Sequence, residues 1–321
     1  MNIKKIAVLT SGGDAPGMNA TIRSVVRTAI TEGMEVVGVV RGYNGLIHGD
    51  LRPMHVRSVS GIINLGGTLL YTARSPEFAT EEGMQKAIKT CHDNNIDGVV
   101  VIGGDGSFRG ARDLSERGIP CVGIPGTIDN DISSSDYTIG FDTALNTAVE
   151  MVDRLRDTAQ SHDRCSVVEV MGRRAGYLAL RTAIAVGATH VLVPEIGYDI
   201  DEVCQQINEG HAIGKQHFII IVAEGIGGVE QIAKDIQERT GIESRATILG
   251  HVQRGGRPSA RDRVNATRMG YHAVKLLSAG IGNRVVVMKN SKVIDYDIQE
   301  ALAMHKPFEN DLYDMVMQIS V

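Results

Sequence analysis

The sequence predicts an α/β protein of parallel sheets covered by helices on both faces and divided into two units. Three observations carry this expectation. Short runs rich in Val and Ile recur along the chain, each followed by a glycine-containing loop and then a stretch of helical period. The runs are apolar almost without interruption, as strands buried on both faces are. A chain of 321 residues is long enough for two domains, although length alone also permits one large α/β domain.

Taken in order, the expected strands are 6–9, 36–40, 99–102, 121–124, 167–170, 191–193, 218–223 and 246–249. The expected helices are 20–32, 111–117, 143–158, 177–186, 202–208, 231–238 and 261–277. The clearest helical stripe is Leu145, Val149, Val152 and Leu155, with Asp153, Arg154, Arg156 and Asp157 on a solvated face. A polar stretch at 130–137 breaks the alternation and marks the crossing between units. A late strand pair, near 285–287 and 292–294, implies that the chain returns to the first unit.

Composition narrows the classes of partner. Hydrophobic residues make up 43% and charged residues 22%, which is ordinary globular usage. A net charge of −5 provides no basic field for nucleic acid and no polybasic membrane tail, so anions must be held by local clusters. Cys91, Cys121, Cys165 and Cys204 lack metal-ligand spacing and read as buried thiols in a reducing compartment. The apolar run after Met1, Asn2, Ile3, Lys4 and Lys5 ends at Thr10, too short for a signal core, and no segment reaches membrane-span length. A cytoplasmic location is expected.

Ligands of open parallel sheets bind beyond the carboxyl ends of the strands, so the following loops carry the chemistry. The first is Ser11-Gly12-Gly13-Asp14-Ala15-Pro16-Gly17-Met18-Asn19, where paired glycines and a helix N-terminus suit an anion, although a tight strand-to-helix turn would look the same. Gly103-Gly104-Asp105-Gly106-Ser107 follows the third strand. A carboxylate in a phosphate cradle needs a divalent cation between them, which makes Asp105 a magnesium ligand or, failing that, a helix cap. The loop is neither a Walker A motif nor the dinucleotide fingerprint. Pro125-Gly126-Thr127-Ile128-Asp129-Asn130-Asp131 carries two carboxylates that can divide proton acceptance and metal work in phosphoryl transfer, or simply form an Asx turn. Arg173, Glu224, His251 and Arg254 follow strands of the second half and suit a sugar phosphate. Arg164 and Arg245 stand just before strands, at the opposite ends. His162, His190 and Met18 read as structural.

Together with Arg74-Ser75-Pro76-Glu77-Phe78, Val170-Met171-Gly172-Arg173 and Gly250-His251-Val252-Gln253-Arg254-Gly255-Gly256, these loops resemble the bacterial 6-phosphofructokinases, in order and over almost the whole chain. The resemblance implies two Rossmann-like three-layer α/β/α domains of the phosphofructokinase fold. One, 1–140 with about 253–303, would bind ATP; the other, 141–252 with about 304–321, would bind fructose 6-phosphate; the active site would lie between them. It implies transfer of the ATP γ-phosphoryl to the sugar 1-hydroxyl, the committed step of glycolysis, by a homotetramer that shares active and effector sites between subunits.

Position by position, the resemblance makes Asp129 the general base, Asp105 the Mg2+ ligand and Asp131 its neighbour. Thr127 would contact the transferred phosphoryl, and Arg74 and Arg173 would neutralise its charge. Gly13, Tyr43, Gly106, Ser107, Phe108 and Gly110, with Arg74, would line the nucleotide. Met171, Gly172, Glu224, His251 and Arg254 would hold the sugar phosphate, joined by Arg164 and Arg245 from the adjacent subunit. Pyrophosphate-using relatives carry Asp and Lys where Gly106 and Gly126 stand, and the two glycines leave room for a nucleoside, which favours ATP. Arg23, Arg27, Arg156 and Lys215 match an effector site for ADP or phosphoenolpyruvate. Val56, Gly61, Thr189 and Ile213 stand where regulated relatives tend to carry charge, so weak or altered allostery is expected. Leu65, Arg174, Tyr177 and Arg257 also depart from common choices.

Two other classes compete. A dinucleotide-dependent oxidoreductase would fit the glycine loops but leaves the paired aspartates and the arginines without a role. A catalytically silent sensor of sugar phosphate would keep the fold, yet every catalytic position is filled.

Overall fold

A computed structural model describes residues 3–320, so the expected domain ends at Met1, Asn2 and Val321 lie outside the described residues. The first apolar run forms β1 (Lys5–Thr10), buried from Ile6 onward, and leads through the glycine loop into α1 (Met18–Thr31). Then come β2 (Glu35–Val39), α2 (Gly42–His48), β3 (Leu51–Met54), α3 (Glu81–Asp93), β4 (Gly98–Gly103), α4 (Asp105–Glu116), β5 (Cys121–Thr127) and the short β6 (Ile139–Gly140). After α5 (Phe141–Ser161) a second series runs β7 (Cys165–Val170), α6 (Tyr177–Val186), β8 (His190–Leu192), α7 (Ile200–Ala212), β9 (Phe218–Ala223), α8 (Val229–Thr240) and β10 (Ser244–Ile248). The chain closes with α9 (Ala260–Ser278), β11 (Arg284–Lys289), β12 (Lys292–Asp297), α10 (Ile298–Ala303) and α11 (Asn310–Ile319).

These elements form two units. Unit 1 holds the described residues up to Ile128, with Ile132–Thr143 and Arg254–Lys306; unit 2 holds Asp129–Asp131, Ala144–Gln253 and the residues from Pro307 onward. The sheet of unit 1 has eight strands among the described residues, in the order β12-β11-β5-β4-β1-β2-β3, with β6 paired to the end of β5. Its interior pairs are parallel, and its edges, β2 with β3 and β11 with β12, are antiparallel. One face packs a core that includes Leu9, Val37, Ile88, Val99, Phe108 and Leu114. Unit 2 has a parallel four-stranded sheet in the order β10-β7-β9-β8, over a core that includes Val167, Ile207, Phe218, Ile220 and Ile232. The inner parallel strands β4 and β9 are buried at every residue because neither sheet face meets water there, whereas the edge strand β10 exposes Arg245 and Ile248.

The expected strands and helices all form, with ends shifted by up to six residues, the most at α4, which begins at Asp105 rather than at 111. Others were not anticipated: α2, β3, α3, β6, α10 and α11. Of these α3 was legible, since Thr80 caps it by accepting from Gly83 N and its buried residues Met84, Ala87, Ile88 and Cys91 fall at helical spacing. The stripe expected on α5 is rotated. Phe141, Thr143, Ala144, Ala148, Val152 and Ala159 are its buried positions, whereas Leu145, Val149 and Leu155 are half-buried. Asp153, Arg154 and Asp157 are exposed as expected, but Arg156 is half-buried. The four cysteines are buried free thiols. His190 is buried against Met317, with Nδ1 3.0 Å from Sδ, and burial holds its pKa down to about 4. Among the described residues no helix is long and apolar enough to cross a membrane.

Candidate active site

In unit 1 the strand order reverses at β1, where α/β sheets open a crevice at the carboxyl ends of their strands. Two glycine loops meet there. Ser11 N donates to the Ile102 carbonyl at 2.9 Å. A Cβ on Gly103 would sit 2.5 Å from the Ser11 carbonyl oxygen and 2.4 Å from Ser107 Oγ, so only glycine lets the loops approach this closely. The segment preceding α3 is laced to the same place. Asn19 Nδ2 donates to the Leu65 and Gly66 carbonyls, Leu69 N donates to Asn19 Oδ1, and Thr72 Oγ1 donates to the Gly12 carbonyl at 2.7 Å. Arg74, two residues further on, is exposed.

Asp105 is the first residue of α4 and Gly104 occupies the cap, which excludes the cap role for Asp105. Burial pushes the Asp105 carboxyl upward, and Arg109 only partly offsets this. A divalent cation would supply the missing positive charge, so the residue fits a magnesium site. Among the described residues there is no cluster of three or more His, Cys, Asp or Glu able to hold a metal alone, so phosphate and water oxygens would complete the shell. Gly106 faces open space, while a Cβ on Gly126 would press on Ile102 and Met18 at 3.1 and 3.3 Å. The expectation that both glycines leave room is therefore corrected: only Gly106 does.

The residues expected along the nucleotide differ in what they present. Tyr43 is buried, donates to the Ser107 carbonyl at 2.5 Å and stacks on Phe78 at 4.0 Å, while a Cβ on Gly110 would strike its ring. The Phe108 ring lies in the core under Gly123, 1% exposed, so only its backbone can line a site. Arg254 lies against Gly13 and donates to the Asp14 carbonyl at 3.2 Å. It thus belongs to unit 1, whereas Arg173, Glu224 and His251 belong to unit 2.

Thr127 ends β5, and its carbonyl accepts from Thr138 Oγ1 at 2.7 Å. Two residues on, Asp129 belongs to unit 2 and is 1% exposed, as is fitting for a carboxylate shielded from water. Arg173 Nε lies 3.4 Å from Asp129 Oδ2. Arg173 occupies a turn with φ 54°, after Gly172 at φ 141°, in the left-handed region that costs energy for any residue bearing a Cβ. Glu224 steadies that turn by accepting from Gly172 N and Arg173 N at 3.3 and 3.0 Å. Gln253, fully buried, accepts from Met171 N at 3.2 Å and donates to the Gly250 carbonyl. No role for Gln253 was read from the sequence, because its partner Met171 lies 82 positions away along the chain. Asp131 is half-buried, and His251 is exposed in the 3-10 turn Gly250–Arg254.

At the amino ends of β7 and β10, Arg164 and Arg245 both engage Glu243, at 2.8 and 2.6 Å, and hold its carboxyl below the usual range. Arg245 is the second residue of β10, not a residue before the strand as expected. Arg23 and Arg27 line a cavity of about 440 Å³ in unit 1 together with Arg268, Tyr271 and His272. In unit 2 Arg156 donates to the Val186 carbonyl, and Lys215 Nζ donates to the Ser320 carbonyl at 3.0 Å.

Residues 5–277 match the family described as Phosphofructokinase. The chain is 56% identical over 318 residues to an ATP-dependent 6-phosphofructokinase of Clostridium botulinum strain Hall, covering 99% of this chain and all of that protein. It is also similar to the phosphofructokinase structure from Saccharomyces cerevisiae, at 36% identity and a TM-score of 0.89 over 99% of this chain. The Pichia pastoris phosphofructokinase in the T-state gives 35% and 0.90. This chain spans 48% and 38% of those two yeast chains. A pyrophosphate-dependent phosphofructokinase from Marinobacter aquaeolei, at 20% identity and a TM-score of 0.85, shares the fold. Matched to the family over residues 5–277 and 56% identical to one of its members over 99% of its length, the chain belongs to the phosphofructokinase family.

Proposed function

We propose that this chain is an ATP-dependent 6-phosphofructokinase that transfers the γ-phosphoryl of ATP to the 1-hydroxyl of fructose 6-phosphate, giving fructose 1,6-bisphosphate and ADP. The observation that carries the reading is the shielded Asp129 carboxylate, two residues beyond the end of β5, with the Arg173 guanidinium 3.4 Å away. As the new O–P bond forms, Asp129 takes the hydroxyl proton. Arg173 and Arg74 balance charge spreading over the phosphoryl oxygens, and the Thr127 hydroxyl orients the group in flight.

Unit 1 supplies the nucleotide contacts: the backbones of Gly13, Gly106, Ser107, Phe108 and Gly110, the Arg74 side chain, and Tyr43 as the buried support of Ser107. The sugar phosphate contacts are Asp131, Met171, Gly172, Glu224, His251 and Arg254. Magnesium on Asp105 shields phosphate charge when bound. Arg164 and Arg245, gathered at the strand ends remote from Arg173, serve the active site of a sister subunit within a homotetramer. Arg23, Arg27, Arg156 and Lys215 receive a phosphorylated effector. A reducing cytoplasm suits the four free thiols.

Coupled ADP release tests the reading with ATP against pyrophosphate, and with Asp129→Ser. Turnover is expected with ATP alone, falling by about 10²–10⁴-fold or more in the variant. Equal turnover by Asp129→Ser would remove Asp129 as the base.

A further inference from the structure

The fully buried Asp262, near the start of α9, takes no part in the chemistry above. Its Oδ1 accepts from Tyr137 Oη at 3.1 Å and from Gly140 N at 2.9 Å, and its Oδ2 from Thr143 N at 2.9 Å and Thr143 Oγ1 at 2.5 Å. Burial pushes this carboxyl upward, and the bonds from Thr143 and Gly140 pull against that. An apolar side chain would fill the volume without the desolvation cost. What a carboxylate adds is direction, because it fixes donors from one short segment on two oxygens. Ser259 extends the clamp: its N donates to Thr143 Oγ1 at 2.9 Å and its Oγ to Asp142 at 2.6 Å, while the Tyr137 hydroxyl accepts from Asp142 N at 3.0 Å.

The clamped segment is wedged between two parts of the candidate site. On one side β6 pairs with the end of β5, Gly126 with Ile139 and Thr127 with Gly140, and Thr138 Oγ1 holds the Thr127 carbonyl. On the other, a Cβ on Gly140 would lie 2.7 Å from Ala15 Cβ, and one on Gly17 would lie 2.6 Å from Ile139 Cγ2. Any shift of the segment therefore moves Thr127 and the first glycine loop together. We propose that Asp262 is a positioning residue for phosphoryl transfer: its carboxylate fixes the segment from Tyr137 to Thr143, which sets Thr127 and the Ser11 to Asn19 loop in register. The proposal rests on the reading of Thr127 given above.

The test is Asp262→Asn in the full-length enzyme, which sets an amide N–H against donors on one side of the clamp. The expected result is a fall in kcat of about 10–100-fold, in line with what a misplacement near 1 Å does to a reacting group. KM for fructose 6-phosphate should stay within about twofold, because a displaced Thr127 weakens the transition state more than the ground state. Amide exchange across residues 126–143 should quicken, while exchange in β7 and β9 stays unchanged. An unchanged kcat, or equal changes in kcat and KM with no local exchange difference, would overturn the proposal. If Asp262→Asn does not fold, Thr143→Ala and Thr143→Ser replace it, since only serine restores the hydroxyl; equal kcat in the two would be just as damaging. Should the wild-type enzyme fail to turn over fructose 6-phosphate, the functional reading fails and the exchange pattern alone decides the positioning role.

Discussion

Replacing Gly103 with Ala tests whether the close approach of the two glycine loops holds the nucleotide site together. The new Cβ would sit 2.5 Å from the Ser11 carbonyl oxygen, a backbone atom that cannot rotate aside, and 2.4 Å from Ser107 Oγ, which can. Ordinary contact begins at 3.4 Å, so the ends of β1 and β4 must part by about 0.9 Å. Overpacking of this kind costs about 1–3 kcal/mol, with about 0.5–1.5 kcal/mol more if the bond from Ser11 N to the Ile102 carbonyl is lost. At roughly 2–4 °C per kcal/mol the melting temperature should drop by about 2–18 °C. The catalytic effect should exceed what the stability loss suggests, because Ser107 and Gly13 lie on the loops being pushed apart. A displacement near 1 Å lowers turnover by about 10²-fold. Coupled ADP release with varied ATP, alongside thermal unfolding followed by circular dichroism, reads both quantities. Wild-type ATP kinetics and an unchanged melting curve would refute the reasoning, since the strands would then have absorbed the methyl group without moving.

Two further outcomes are expected. His190 is held neutral by burial, its pKa lowered from 6.5 to about 4. The unfolded chain binds the proton more readily, so His190 contributes stability that is present above pH 6.5 and lost as pH falls from 6.5 toward 4. The slope reaches about 1.4 kcal/mol per pH unit at most, and His190→Phe should flatten it; identical urea-unfolding slopes for the two proteins between pH 7 and 4.5 would contradict this. For regulation, saturation curves for fructose 6-phosphate should shift little with phosphoenolpyruvate. Val56 and Ile213 are exposed apolar positions, and Thr189 is buried; none offers a charge to a phosphate. A strongly sigmoidal response would show that other residues hold the effector.

How far the sequence revealed the molecule depends on where the stabilising partners lie. β1, β9 and α6 were readable because their burial is written into consecutive residues. The pair of Asp129 and Arg173 was readable because strand ends are where such sheets keep their chemistry. β3 was missed because its exposed residues, with Pro53 among them, look like loop. α10 and α11 are short and follow a strand pair that gave no signal of more helix to come. Gln253 and Asp262 were missed because their donors lie some 80–125 positions away along the chain, where no local pattern can name them. Arg254 followed the strand-end rule yet attached to the Gly13 loop, which shows that the rule locates a residue without naming its ligand.

The pairing of β11 with β5 also bears on how the protein is made. At about 5–20 residues per second, the ribosome needs roughly 10–30 s after completing β5 to deliver the partner for its outer edge. During that interval a run of apolar backbone stands ready to pair with any neighbouring chain, and the whole of the second sheet is synthesised meanwhile. Overexpression at high temperature should therefore favour inclusion bodies, and slower synthesis or a holding chaperone should rescue yield without any change of sequence.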